Sequence, residues 1–338
     1  MKAITYSRYG SPDVLQLREV STPEPKSDEV LIRVRAAEAT KADCEMRSFT
    51  FSVKWFWLPL RIAVGVRRPR RQILGGYFSG EIAALGKDVT TFAVGDHVYG
   101  ATGLRFGAYG EYVALPARST IAATPSNMSF AEAAAAPLGG LNALHFMRLA
   151  HIRTGERVLM NGAGGSIGLH ALQIAKAMGA DVTGVDTTVK EDTVRRLGAD
   201  HFVDYTKEDF ARRGDTYDVI FDMVPGSSYS ACIRALNVHG RYLCGNPRLS
   251  VMLRSLLTSR FTSRTATFRF AHESRADLLA LTRMIENGAI RSIVDRVFDM
   301  HHAPDAHRLV ETEQRLGAVV IAMGDYRGLT VVSNTGGA

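Results

Sequence analysis

Arg157-Val158-Leu159-Met160-Asn161-Gly162-Ala163-Gly164-Gly165-Ser166-Ile167-Gly168 decides how this 338-residue chain is read. Val158 to Met160 is an apolar run of strand length. A glycine-rich turn follows, and Leu169 to Met178 then has the composition and apolar spacing of a helix. Strand, glycine turn and helix open a dinucleotide-binding βαβ unit, in which free N–H groups at the helix N-terminus face a pyrophosphate. Ala163, Gly165 and Gly168 spell A-x-G-x-x-G. Gly165 would let backbone approach phosphate, and Gly168 would let the helix pack close to the strand. Glycines serve any tight turn, so the flanking strand and helix carry the argument.

Working outward toward the C-terminus, strands and helices alternate. Asp181–Val185, Phe202-Val203, Val219–Phe221 and Gly240–Cys244 read as strands. Lys190–Leu197 and Ser227–Leu236 read as helices between them. That alternation implies a parallel sheet with right-handed crossovers. Val251–Leu257 reads as a further helix and Thr265–Phe270 as β. Ser274–Asn287 is read as a helix, Ile293–Phe298 as a strand, Ala303–Gln314 as a helix and Ala318–Met323 as a last strand.

Toward the N-terminus the pattern is β. Ala3–Tyr6, Leu15–Val20, Glu29–Ala36, Gly80–Gly86, Asp96–Gly100 and Gly110–Leu115 are short strands punctuated by Gly and Pro, as in a barrel or sandwich. Ser129 with Glu132 forms a capping-box signature for a helix over Ser129–Ala136. Pro137-Leu138-Gly139-Gly140 is expected to interrupt it before Leu141–Ala150 resumes. The expected division is 1–125 for a first β domain, 126–265 for the dinucleotide domain, 266–324 for a return to the first domain, and 325–338 as a flexible tail.

Composition narrows the class. Hydrophobic residues make up 46% of the chain, enough for a sizeable core, and the net charge of +7 comes with no nucleic-acid module. Cys44, Cys232 and Cys244 lie far apart without a C-x-x-C pair, which suits a reducing, cytoplasmic compartment. Lys2–Tyr6 reads as a first strand, not a signal peptide, and no apolar run reaches membrane-spanning length. Phe49–Arg71 stands out: it holds Trp55, Trp57, Pro59 and five arginines (Arg61, Arg67, Arg68, Arg70 and Arg71). It reads as an excursion packed on the barrel, as a lid over an apolar site, or as a patch against an anionic membrane surface.

Asp186, at the end of the strand Asp181–Val185, stands where a carboxylate would take the ribose diol and repel a 2′-phosphate. This favours NADH. Thr187, Thr188 and Lys190 could serve a 2′-phosphate instead. Asp186 also fits a helix N-cap, and Lys190 a solvated helix position.

The chain resembles the medium-chain dehydrogenase/reductase superfamily, in its zinc-free quinone oxidoreductase branch. The resemblance rests on Met1-Lys2-Ala3, Gly75–Gly80, Val94–Gly100, Gly107–Val113, Pro137–Leu144, Gly155–Leu159, Ala163–Gly168, Leu197–Asp200 with Val203-Asp204-Tyr205, and Ala306-His307. It implies an α/β fold: a Rossmann doubly wound parallel sheet joined to a GroES-like β-barrel made by both chain ends. The active site would lie in the cleft, and two copies would pair through sheet edges. It further implies NAD(P)H as cofactor. Thr40 and Asn142 would lie near the nicotinamide, Gly164, Gly165, Ser166 and Ile167 at the pyrophosphate, and Asp186, Thr187, Lys190 and Tyr205 at the adenosine end. Met223, Val224 and Gly245 would line the cleft.

Where zinc-dependent members of that superfamily carry Cys, a His–Glu pair and Cys, this chain has Thr40, Gly76 with Tyr77, and roughly Gly139. These cannot bind zinc, so no metal site is expected, and Asp96, His97, His301 and His302 are read as turn or surface residues. Asn142 stands where Thr is more common, Thr40 where Asn is usual, Tyr77 where Asp or Glu is frequent, and Gly317-Ala318 where Gly-Lys is common. Tyr77 is read either as a hydrogen-bond donor to a developing oxyanion or as a packed aromatic. The expected function is zinc-independent NAD(P)H-dependent hydride transfer to a small apolar quinone or α,β-unsaturated carbonyl, with Thr40, Tyr77 and Asn142 as the catalytic candidates. The rivals are a zinc-free alcohol or aldehyde dehydrogenase, and a non-catalytic NAD(P)H-binding redox sensor or membrane-associated scaffold.

Overall fold

The computed structural model describes residues 1–51, 61–62, 64–245, 249–269 and 271–324. Trp55, Trp57 and the expected tail 325–338 lie outside them. Two sheets organise the chain. The first is six-stranded and wholly parallel. Counting Arg157–Asn161 as its first strand, the others are Asp181–Asp186, His201–Asp204, Tyr217–Asp222, Leu236–Cys244 and Thr265–Phe268, in spatial order 3-2-1-4-5-6. That is the doubly wound order, whose direction reverses between the first and fourth strands and opens a crevice at their carboxyl ends. The inner strands Arg157–Asn161, Asp181–Asp186 and Tyr217–Asp222 are buried on both faces, which is why they read as apolar runs without alternation.

The second sheet is the barrel. Glu29–Ala39 is its long central strand. Tyr77–Leu85 pairs along one side of it; Tyr112–Pro116 and Ala318–Ala322 share the other. Val294–Asp299 joins the sheet beside Ala318–Ala322, so the C-terminal chain returns to the barrel there. Thr265–Phe268 belongs to the parallel sheet, whereas the helix Arg275–Glu286 buries Leu278, Leu281 and Ile285 and lies against the helix Phe130–Ala150 and the barrel strand Ile121–Ala123. The dinucleotide unit therefore continues past residue 265, the division read from the sequence.

A second difference concerns Pro137–Gly140, which does not interrupt anything. Phe130–Ala150 is one continuous helix carrying Pro137 inside it, started by the expected Ser129–Glu132 capping box. The glycines are there for packing. A Cβ on Gly139 would stand 2.4 Å from His170 Nδ1, and one on Gly140 2.4 Å from Leu281 Cδ2. The helix lies against both barrel strands and the helix Ser166–Ala177, and so forms the spine between the two sheets.

Beneath the barrel, the His307 ring is fully buried between the Tyr109 hydroxyl (3.0 Å) and the Cys44 thiol (3.3 Å). Burial, helped by the Arg47 charge, pushes its pKa down to about 3 from 6.5. An unfolded chain would take up that proton near pH 6.5 and the folded one only near pH 3. The stability lent by neutral His307 is thus complete above about pH 6.5 and falls with pH below it, by up to about 1.4 kcal/mol per unit. Urea unfolding between pH 6.5 and 4 should show a shallower decline in His307→Gln than in wild type; equal slopes would refute this. Among the described residues, no helix is long and apolar enough to cross a membrane.

Candidate active site

The turn that opens the parallel sheet is braced from three sides. Gly162 and Ala163 donate their N–H groups to Val185 O. Gly317 donates to Gly164 O at 2.9 Å, tying the returning chain to the turn where Gly165 and Gly317 form a parallel bridge. Asp186 Oδ2 accepts from Gly164 N at 2.8 Å. The helix Ser166–Ala177 then starts with Gly165 at its N-cap and no side-chain cap. Four other helices use Thr40, Ser129, Ser228 and Ser274 for that purpose, whereas Glu191–Arg196 and Ala303–Glu311 also start without a side-chain cap. The N–H groups of Ser166, Ile167 and Gly168 have no intrahelical acceptors, and the glycine leaves room for an external anion to supply them. A Cβ at Gly165 would meet only Gly162 O, at 3.6 Å. This turn fits the pyrophosphate of a dinucleotide.

At the adenosine end the structure brings Asp186, Thr187, Lys190 and Tyr205 together, and it engages them internally. The Asp186 carboxylate is buried. It accepts from Gly164 N and from Thr187 N (2.9 Å), and pairs with Lys190 Nζ at 3.1 Å. Lys190 is buried too, and its aliphatic stem covers Gly164. Neither side chain is the helix N-cap or solvated residue that the sequence left open. Tyr205 donates its N–H to Asp186 O, with its ring exposed.

On the other side of the switch point, Asn161 Nδ2 donates to Asp222 Oδ1 at 2.9 Å, which also accepts from Val224 N at 3.1 Å. Asp222 Oδ2 accepts from the hydroxyls of Tyr242 and Ser227. This buried carboxylate fixes the loop that carries Met223 and Val224. Sequence reading missed Asn161 and Asp222; the only signal is a polar residue closing an apolar strand. Met223 packs on Gly245, which also faces Phe146, one helical turn beyond Asn142.

The barrel supplies the facing wall. Glu38 is the last residue but one of the central strand, and Tyr77 begins the neighbour in the register next to Ala37–Phe78. Glu38 is almost fully buried. Burial pushes its carboxyl well above the usual range, against the pull of Arg315 and of the Ser166 hydroxyl. Neither Glu38 Oε2 nor the buried Ser166 Oγ has a hydrogen-bond partner among the described residues, and Glu38 is another residue the sequence reading missed. Thr40 caps the helix Lys41–Ser48: its hydroxyl donates to Asp43 Oδ2 at 2.6 Å and accepts from Asp43 N at 3.0 Å. Asp43 Oδ1 accepts from Gly75 N. Tyr77 Oη donates to Glu273 Oε1 at 2.5 Å, across from barrel to the segment before the helix Arg275–Glu286. Asn142 Nδ2 donates to Leu138 O at 2.9 Å, which leaves its Oδ1 and second N–H for other partners. Each of the three catalytic candidates therefore has an internal partner.

The remaining polar candidates stay outside this cleft. His97 faces Glu81, and His301 and His302 flank Asp299 at the surface. In the Trp/Arg-rich stretch, the Arg61 guanidinium stacks over Tyr9 and Phe49, whereas the packed-excursion reading takes the arginines as solvated.

Residues 26–126 match the alcohol dehydrogenase GroES-like domain, and residues 197–321 match the zinc-binding dehydrogenase family. A 2-methylene-furan-3-one reductase of Solanum lycopersicum is 31% identical over 95% of this chain and 79% of its own. A quinone oxidoreductase of Pseudomonas aeruginosa is 30% identical over 95% of this chain and 99% of its own. The structure of a quinone oxidoreductase from Coxiella burnetii superposes with a TM-score of 0.85 at 28% identity, over 96% and 99% of the two chains. The chain belongs to the medium-chain dehydrogenase/reductase superfamily, in its quinone oxidoreductase-like part. It is an NAD(P)H oxidoreductase with a Rossmann sheet and a GroES-like barrel.

Proposed function

We propose that this enzyme reduces a small apolar quinone or α,β-unsaturated carbonyl by direct hydride transfer, without zinc. The observation that carries the reading is the glycine-capped, side-chain-free N-terminus of Ser166–Ala177 facing a barrel wall of Glu38, Thr40 and Tyr77. A bound nicotinamide supplies the hydride; the chain orients it and the acceptor, and excludes water. The hydroxyl of Thr40, the open edge of Gly76 and the phenol of Tyr77 offer no zinc ligand set, which supports zinc independence. Thr40 and Asn142 would lie beside the nicotinamide, and Tyr77 would face the acceptor oxygen. The turn Gly164–Ile167 would seat the pyrophosphate, and Met223, Val224 and Gly245 would line the ring pocket. A homodimer through the outer edge of Thr265–Phe268, which ends the parallel sheet, completes the proposal.

The test is steady-state kinetics with NADH and NADPH on quinone and enone panels, with and without chelator, beside simple alcohols with the oxidised cofactors. Turnover of quinones or enones unaffected by chelator is expected. Alcohol oxidation lost on chelation would overturn the reading.

Within this proposal, Asp186 leans the enzyme toward NADH, because it neutralises the cation that a 2′-phosphate would use. Asp186→Asn keeps the acceptor for Gly164 N but frees Lys190. It is expected to shift the NADPH:NADH ratio of kcat/KM upward about tenfold, equivalent to about 1.4 kcal/mol. Adding Lys190→Met to Asp186→Asn should cancel that gain in NADPH use and leave NADH use as in the single variant. A strong wild-type preference for NADPH that Asp186→Asn leaves unchanged would remove the role given to Asp186.

A further inference from the structure

Glu38 puts a carboxyl where the strand Glu29–Ala39 is otherwise apolar. Ala37 and Ala39 face the barrel core, so Glu38 shares the opposite face with Ala36. Ala36 clusters there with Ala131, Ala134 and Ala135 of the helix Phe130–Ala150 and with Ala318 and Val320, and Glu38 stands opposite Val320 in the strand register. Glu38 is only 1% exposed, and its Oε2 has no hydrogen-bond partner among the described residues. A buried acid left in that state costs stability, so its retention calls for a physical reason.

Its surroundings supply one. Ser166 is the first residue of the helix Ser166–Ala177, and its hydroxyl is buried against Gly139. That hydroxyl pulls on the Glu38 carboxyl without closing a hydrogen bond. The N–H of the same Ser166 belongs to the turn that fits a pyrophosphate. An ionised Glu38 and a bound pyrophosphate would therefore be two anions on one helix N-terminus, which carries only about half a positive charge. The groups facing the carboxyl divide by sign. Arg315, whose Nε also lacks a partner, favours its charge, and Asp43 opposes it. The phenols of Tyr77 and Tyr109 face it as neutral groups, and the alanines of Phe130–Ala150 do not titrate. Burial moves the titration of Glu38 well above the usual carboxylate range.

We propose that Glu38 couples cofactor binding to a proton: NAD(P)H binds the form of the enzyme in which Glu38 is neutral, and an enzyme whose Glu38 is ionised takes up one proton from solvent as it binds. The proton removes the competing anion from the helix end and leaves the Arg315 charge to the pyrophosphate. This rests on the pyrophosphate seat at Gly164–Ile167. Glu38 is a positioning residue in it, acting through the field at the turn. The sign follows from linkage. A group that holds its proton more tightly in the complex makes binding weaken as pH rises, by up to about tenfold per unit above its titration in the free enzyme and not at all below it.

Calorimetric titration with NADH tests it, because the NADH pyrophosphate keeps its charge between about pH 6 and about pH 9.5. Two buffers of different ionisation enthalpy at each pH give both Kd and the protons bound. Wild type should bind at least about tenfold more weakly at the alkaline end than at the acid end, with proton uptake rising toward one per NADH. Glu38→Gln, neutral at every pH, should take up no proton through this site and hold its Kd within about twofold. A wild-type Kd and proton count that ignore pH would overturn the proposal, and this arm stands even if the variant folds poorly. The wild-type pH dependence persisting in Glu38→Gln would overturn it too. Gly165→Ala separates this from the reading beneath it. Normal NADH binding in that variant removes the pyrophosphate seat and the coupling together; binding lost there, with a pH-independent wild type, removes the coupling alone.

Discussion

Gly168→Ala is expected to weaken NAD(P)H binding by at least about a hundredfold in a fluorescence titration, and to lower stability by about 1–3 kcal/mol. A Cβ at residue 168 would stand 2.2 Å from Gly162 O, and 2.8 Å from both the Cα and the carbonyl oxygen of Ala163. All three neighbours are backbone, so no side chain can rotate away. The methyl must push the first turn of Ser166–Ala177 off the strand that precedes it, and the N–H groups of Ser166 and Ile167 move with it. Gly165→Ala offers the contrast. Its Cβ meets nothing of the protein closer than 3.6 Å and points where the ligand's phosphates would lie. That variant should keep wild-type stability and lose cofactor affinity. If Gly165→Ala binds normally, the pyrophosphate does not sit on this turn; if Gly168→Ala does, the turn is not rigid.

The same turn shows what was legible in the sequence and why. Rossmann strands buried on both faces leave apolar runs, and their glycine turns and intervening helices are local patterns, so the parallel sheet could be read without coordinates. Thr265–Phe268 was readable as β, but not its sheet. The helix before it, Leu249–Phe261, leaves Leu249, Leu253, Leu256 and Leu257 exposed and buries Ser255, so its pattern does not point to the parallel sheet. Pro137, Gly139 and Gly140 read as breakers because propensity is local, whereas the reason for the two glycines is a close contact with Ser166, His170 and Leu281 far along the chain. Glycine at those sites is the residue that lets two helices meet. Asp186 and Lys190 could be named as adenosine-end residues from spacing alone; that they bond each other and Gly164 is a tertiary fact. Glu38 and Glu273 escaped for the same reason. Glu38 is a lone charge among Ala36, Ala37 and Ala39, and a lone charge in a strand carries no signature until its buried surroundings are known. Glu273 gains meaning only from Tyr77, 196 positions away.

That pair sets the other large effect. Tyr77→Phe is expected to lower kcat by roughly a hundredfold, the usual cost of one lost donor to a developing oxyanion, while NAD(P)H affinity stays as in wild type. Burial and the neighbouring Glu273 carboxyl hold the phenol well above its ordinary pKa. It therefore donates a hydrogen bond without ionising. Its proton points at Glu273 Oε1 when that carboxyl is ionised, and is then withheld from the acceptor. Burial pushes the Glu273 carboxyl up, against the pull of the Tyr77 hydroxyl and the His272 charge. A raised pKa extends the protonated form to higher pH, and a protonated Glu273 donates to Tyr77 Oη, freeing the phenolic proton for the acceptor. Activity should thus rise as pH falls through the titration of Glu273, above the usual carboxylate range. Glu273→Gln, which is neutral at every pH and can donate through its amide, should flatten that limb of the kcat profile. Glu273 is then a positioning residue, acting through Tyr77. A Tyr77→Phe enzyme with full kcat would return Tyr77 to the status of a packed aromatic. An unchanged pH limb in Glu273→Gln would leave the bond between them as a strut between barrel and parallel sheet, because a strut alone has no reason to respond to protons at the chemical step.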